Sequence, residues 1–199
     1  MENSAAVIRV KNGQDALRKL AEAGTIPADA ADLRTGISKS ETGELILNRK
    51  QGNFRVVTPL CEALLMKEGQ GLAGDFLSVR NGGVFAAFFV ASLDRRPLKE
   101  SGRILLMHLT DLKSDGAVFR DSTLSILEHE GSANRLLRKN RASIELRTKN
   151  AYRLFACAPD GSRLFEVPFQ RNGDRITFVA DNTSEQGCVL LYELVKSTL

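Results

Sequence analysis

Short apolar runs broken at near-regular intervals by Gly, Asn, Asp and Pro constrain this chain more than any other feature. Residues 40–59, SETGELILNRKQGNFRVVTP, show the pattern once in full. Leu45, Ile46 and Leu47 form one run. Lys50, Gln51, Gly52 and Asn53 supply a turn, because Gly and Asn tolerate the positive φ of tight connections. Residues 54–58 return, with Phe54 and Val56 on one face and Arg55 on the other, the period of two of a half-buried strand. Pro59 has no N–H for a ladder, so pairing should stop near it or run along an edge. Glu41 and Glu44 read as solvated charges at the hairpin mouth. An acid/base pair needs a cleft to shift a carboxylate pKa, and nothing here predicts one.

The first 38 residues differ from the rest. Residues 6–10 (AVIRV) suit a short strand. Asn12 can cap a helix over 15–23, where Leu17, Leu20 and Ala21 share a face and Gly24 closes it. Pro27 can start one more helical turn over 27–33. A lone amphipathic helix needs a surface to lie on. After the hairpin, 61–66 reads as a strand, 67–74 as a glycine loop, and 76–79 as a strand. Asn81-Gly82-Gly83 is a hairpin turn signal. Residues 84–93, VFAAFFVASL, are apolar on both faces, as in a strand in the middle of a packed structure; a buried helix is the competing reading, and the preceding Asn-Gly-Gly, the Phe content and the length of the run favour the strand. Phe85, Phe88 and Phe89 are therefore expected in the core. Residues 103–109 form the next strand and hold His108, read as a satisfied structural histidine. Residues 111–121 are a loop, and strands follow over 123–127, 142–147 and 152–158. Pro159-Asp160-Gly161 turns the chain. Residues 164–170 form a strand that Pro168 consigns to an edge or bulge. Arg171 to Asp174 is another turn. Strands over 175–180 and 188–194 flank a loop at 182–187. Ten or more short strands with regular turns predict a mainly β fold, an antiparallel sandwich of two packed sheets over 39–199. A short helical segment or linker, residues 1–38, precedes it.

Composition narrows the function. The 199 residues are 43% hydrophobic and 26% charged, an ordinary globular balance, so a core needs no metal or disulfide staple. Cys61, Cys157 and Cys188 lack a CxxC spacing and read as buried free thiols, with one disulfide between two of them the lesser alternative. A net charge of +4 is no nucleic-acid signature. The basic stretch 135–153 (Arg135, Arg138, Lys139, Arg141, Arg147, Lys149, Arg153) reads as a solvated strand face and loop; the alternative is a docking surface for an acidic domain or polyanionic glycan. No apolar run approaches bilayer length and no signal peptide is visible, so the expected location is the cytoplasm if the chain is complete. Nucleotide, hydrolase-elbow and metal spacings are absent. With no Trp and two Tyr, aromatic platforms for sugars or bases are thin. Asn182-Thr183-Ser184 matches a glycosylation sequon, of little meaning without a secretory signal. No catalytic, cofactor-binding or metal-ligating residue is assigned, and no cofactor is expected.

One ordered set of motifs carries more. SETGEL (40–45), VVTP (56–59), SLDRRPL (92–98) with Ser101 and RILL (103–106), APDGSR (158–163), EVP (166–168) and LLYEL (190–194) follow one another over residues 40–194. In order and spacing they resemble the C-terminal β-sandwich domain that follows the catalytic barrel in certain large bacterial glycoside-hydrolase-like proteins. The resemblance implies a sandwich packed on a (β/α)₈ barrel that itself holds the catalytic carboxylates. It supplies no catalytic residue here. Where such domains often carry Asn-Thr-Gly and tryptophans after the RILL strand, this chain has Ser114-Asp115-Gly116 and Phe119. The expected role is a non-catalytic accessory domain, structural and in contact with a barrel or a glycan. The alternatives are a free-standing carbohydrate-binding module and, third, a stand-alone glycan-active enzyme.

Overall fold

A computed structural model describes residues 11–32 and 34–197. The strand read over 6–10 lies outside the described residues. Helix α1 (Gly13–Glu22) is capped by Asn12, whose Oδ1 accepts the Asp15 N–H at 2.9 Å. None of its side chains is buried. The helical turn expected over 27–33 does not form in the described residues 27–32, where a turn leads into the strand β1 (Ala31–Asp32). The main sheet thus starts ahead of residue 38. β1, β2 (Ile37–Lys39), β3 (Leu45–Asn48), β4 (Asn53–Val57) and β5 (Cys61–Met66) make an antiparallel meander.

β6 (Gly71–Ala73) and β7 (Leu77–Asn81) lie in a second sheet, and β8 (Ala86–Ser92) and β9 (Arg103–Leu109) return to the first. The Asn-Gly-Gly turn is therefore a crossing between sheets rather than a hairpin. Gly82 is required there, since a Cβ on it would stand 2.1 Å from the Arg141 carbonyl oxygen. The expected loops at 67–74 and 111–121 hold short strands instead. Residues 111–139 form a ribbon of β10 (Leu112–Ser114), β11 (Val118–Phe119), β12 (Leu127–His129) and β13 (Arg135–Leu137), with β10 paired to β13 and β11 to β12. The strand expected over 123–127 is shifted to 127–129, because 120–126 turns at the ribbon tip. β14 (Arg141–Arg147) lies in the second sheet, then β15 (Tyr152–Cys157) and β16 (Arg163–Glu166) in the first. β17 (Gln170–Asn172) and β18 (Arg175–Asp181) return to the second. The run 164–170 is thus split: Pro168, with no N–H, sits where the chain changes sheets. β19 (Thr183–Ser184) and β20 (Gly187–Cys188) make a small hairpin, and β21 (Leu191–Lys196) closes between β9 and β15.

The result is a mainly β antiparallel sandwich. One sheet of ten strands runs β1-β2-β3-β4-β5-β8-β9-β21-β15-β16, and one of five runs β17-β18-β14-β7-β6. Side-chain alternation gives each sheet an inner row. Leu64, Phe88, Leu106 and Leu194 from the large sheet meet Val79, Ile144 and Ile176 from the small one in a single cluster. Each such side chain contributes roughly 1.5–3 kcal/mol on burial. The three phenylalanines divide. Phe88 is fully buried, Phe89 is half-buried on the outer face, and Phe85, ahead of the strand, is 55% exposed.

One inner position of β5 is a carboxylate. Glu62 is 1% exposed and reaches across to the entry of β7. Its Oε1 accepts the N–H groups of Asp75 (2.9 Å) and Phe76 (2.7 Å), and its Oε2 that of Leu77 (2.8 Å). Burial raises the Glu62 carboxyl above its usual range against the pull of these donors. A Cβ on Gly74 would stand 2.2 Å from Glu62 Oε2, so the clamp dictates that glycine. Glu62→Ala strands three N–H groups and should cost at least about 3 kcal/mol in urea unfolding. Gly74→Ala should destabilise in the same assay. Near-parental midpoints for both would remove the clamp.

The ribbon has the opposite status. No residue of 111–139 belongs to the core cluster, while Leu112, Val118, Leu124, Ile126, Leu127 and Leu136 are all exposed. Excising residues 112–136 should change the unfolding free energy by less than about 1 kcal/mol. Loss of cooperative unfolding in that variant would show that the sandwich needs the ribbon.

Candidate functional site

The motifs that carry the resemblance have local structural work. VVTP, SLDRRPL and RILL meet at one end of the large sheet. The Leu98 N–H donates to the Pro59 carbonyl and the Ser92 N–H to that of Leu60. Leu98, 2% exposed, plugs the core there. Asp94 ties the loop by accepting the Ser92 and Ser101 hydroxyls (2.8 and 2.7 Å) and the Gly102 N–H (2.7 Å). These bonds, the Gly102 N–H foremost, hold its carboxyl far below the usual range. Asp160 of APDGSR accepts the Ser162 N–H at 2.9 Å, and the Tyr192 hydroxyl of LLYEL donates to the Asp181 carbonyl at 2.8 Å. The adjacent Glu193 is held between Arg103 Nε (2.6 Å) and Arg163 Nε (2.7 Å). Burial opposes ionisation of Glu193, but the two arginines outweigh it and lower its pKa.

The far end is closed by a buried polar plug. Asn140 Nδ2 lies 2.9 Å from Asn81 Oδ1 and 3.0 Å from His108 Nε2. Its two hydrogens serve both, so Nε2 is the acceptor and the neutral ring carries its proton on Nδ1. Nδ1 has no partner, so this histidine is half satisfied rather than fully. Its ring stacks on Phe88 with centroids 4.6 Å apart. Asn182 Oδ1 accepts the Asn140 N–H at 2.8 Å, and its amide donates to Arg138 O and Thr110 Oγ1. Asn182 is fully buried, so the sequon is closed to modification in the folded chain.

Burial pushes the His108 pKa down to about 4 from 6.5, against the nearby Asp181 charge. The unfolded chain therefore takes up this proton first as pH falls. The stability given by neutral His108 is whole above about pH 6.5 and lost toward pH 4, a difference of about 3 kcal/mol. Urea midpoints should drop across that window in the parent and much less in His108→Phe. Equal pH dependence in the two would show that His108 does not govern it.

Two outward faces remain. On the large sheet, register places Leu45, Leu47, Phe54, Val56, Leu65, Phe89 and Met107 together across β3, β4, β5, β8 and β9. All are half-buried or exposed. Toward β15 this face becomes charged: Arg153 and Arg163 stand over the Phe155 ring at 4.8 and 4.2 Å. On the small sheet, register sets two rows side by side. One is Gly71, Arg80, Ser143 and Val179; the other is Ala73, Ser78, Glu145, Thr177 and Gln170. They floor a groove of about 940 Å³, walled by Pro168 and Phe169. Glu145 is paired with Arg175 at 2.9 Å. The side chains of Arg80, Ser78, Ser143, Thr177 and Gln170 have no partner among the described residues.

No family model, curated protein or solved structure matches this chain. Among the described residues no group of three or more His, Cys, Asp or Glu is placed to hold a metal ion, and none of the described helices is long and apolar enough to cross a membrane.

The basic stretch 135–153 does not form one surface. Arg135 and Arg138 lie on the ribbon, Arg141 on the outer face of β14 and Arg153 on that of β15, on opposite sides of the sandwich. Arg138, Arg141 and Arg153 are paired with Asp111, Asp181 and Glu166. The cysteines are free, but only Cys157 is buried; Cys61 is half-buried and Cys188, in the β19–β20 hairpin, is exposed. Sequence reading missed the groove. The outward Ser143, Glu145 and Thr177 were legible as alternation, but their neighbours across β7 and β18 were not.

Proposed function

We propose that this chain is a non-catalytic β-sandwich accessory domain of the kind attached to glycoside-hydrolase barrels. Its role is structural: the outer face of the large sheet covers a neighbouring (β/α)₈ barrel. The observation that carries this reading is the apolar continuity of that face over five adjacent strands. An apolar sheet face of that extent marks an interaction site more often than a solvated surface. The ordered motif set supports the same choice. Three of its motifs meet at the end of this sheet, where Leu60 and Leu93 are 46% and 45% exposed. The carboxylates support a non-catalytic role, because Glu62, Asp94 and Glu193 are each engaged in holding the fold.

Met107, half-buried on the outer face, is a built-in reporter. Radical footprinting of the chain, alone and joined to a barrel encoded in the same reading frame, should show Met107 and Phe54 oxidation falling severalfold in the joined form. Unchanged oxidation would defeat the docking reading. Hydrolysis of a glycan by this chain alone, lost on replacing one carboxylate, would end the non-catalytic one. The second reading, a free-standing carbohydrate-binding module, is favoured by one observation, the polar groove over the small sheet.

A further inference from the structure

We propose that the groove over the small sheet binds an uncharged oligosaccharide segment, laid across β6, β7, β14, β18 and β17. This deepens the glycan-associated reading above by assigning it a site and a ligand class. Five strands at ~4.8 Å spacing give a floor roughly 19 Å long, open at both ends and suited to a chain rather than a compact molecule. Small side chains keep the middle low, with Ala73 and Ser78 in one row and Gly71 and Ser143 in the other. Hydroxyls of Ser78, Ser143 and Thr177, the Gln170 amide and the Arg80 guanidinium present donors and acceptors that nothing in the described chain occupies.

The charges select against other ligands. Arg80 and Glu145 are the two ionised groups lining the groove, and Glu145 is already paired with Arg175, which leaves Arg80 as the one lining charge without a partner among the described residues. A polyanion would find a single unpaired cation rather than a row of them, and a polycation would meet the guanidinium. A nucleic acid needs several cations along its backbone. A peptide strand seeks a free sheet edge with its own N–H and C=O groups, and this floor is a sheet face. A lipid needs an apolar lining, whereas Arg80, Glu145 and Gln170 interrupt this one. A neutral polyhydroxylated chain matches the hydroxyl-rich floor and asks for no row of like charges, with Pro168 and Phe169 offering the apolar wall for a sugar face. The site lacks Trp and Tyr, so the expected affinity is weak.

The test is calorimetric titration of the full chain with neutral oligosaccharides (gluco-, xylo- and manno-series) and, in parallel, with oligogalacturonate and heparin fragments. The expected result is binding of at least one neutral series and none of the anionic ones. Arg80→Ala should weaken it at least tenfold, and Ser143→Trp, which fills the floor, should abolish it. Lys149→Ala, away from the groove, should leave it unchanged, and thermal melts establish that all three variants fold. Amide shifts on adding the bound sugar should centre on Ser78, Ser143 and Thr177. Preference for an anionic series, failure of every neutral series, or binding that survives both groove variants would each overturn the inference. The outcomes separate from those of barrel docking: a protected Met107 without sugar binding sinks the groove alone, and sugar binding with an unprotected Met107 sinks the docking alone.

Discussion

Everything in this molecule depends on one contact, the inner row of the ten-stranded sheet against the inner row of the five-stranded one. Neither sheet can bury its apolar face without the other. The chain changes sheets repeatedly to bring those rows together, and two of these changes show a physical device. At Gly82 no side chain fits beside the Arg141 carbonyl. At Pro168 the missing N–H releases the ladder. Within the small sheet, at the turn that joins β6 to β7, the buried Glu62 carboxylate reaches across from the large sheet and accepts the N–H groups of Asp75, Phe76 and Leu77.

A sandwich also has two open ends, and this one closes them by different means. Leu98 and the Asp94-centred loop seal one with an apolar plug and a ring of hydrogen bonds from an ionised carboxylate. Asn81, His108, Asn140 and Asn182 seal the other with amides that satisfy one another and the crossing backbone. The second closure contains the one buried side-chain polar atom without a partner among the described residues, His108 Nδ1. Its place in the core next to Phe88 makes that end sensitive to protonation. Structural work thus absorbs the buried polar residues, and the two outward faces, one apolar and one polar, are left out of it.

The outward faces explain why function is harder to read than fold. A face is a property of several strands, and its character depends on which strands are neighbours. β7 and β14 are separated by some sixty residues yet set Ser78 beside Glu145 and Arg80 beside Ser143. The run 84–93 looked buried on both sides because all of it is apolar. The large sheet in fact exposes its second side there, so Phe89 faces outward while Phe88 is enclosed. The basic stretch 135–153, read from the sequence as a solvated strand face and loop, is contiguous in sequence alone. A ribbon, a crossing and two sheets divide it among three surfaces.

The amino-acid sequence by itself determined the mainly β class, most strand positions and the hairpin at 45–57. These follow from short-range causes: alternation with period two, the φ that Gly and Asn allow, and the N–H that Pro lacks. The tertiary structure alone decided which turns are hairpins and which are crossings, which face of each strand is covered, and that Glu62, Asn140 and Asn182 are buried ties. Those outcomes hinge on partners far away in the chain, and a residue's local pattern carries no record of what will be packed against it.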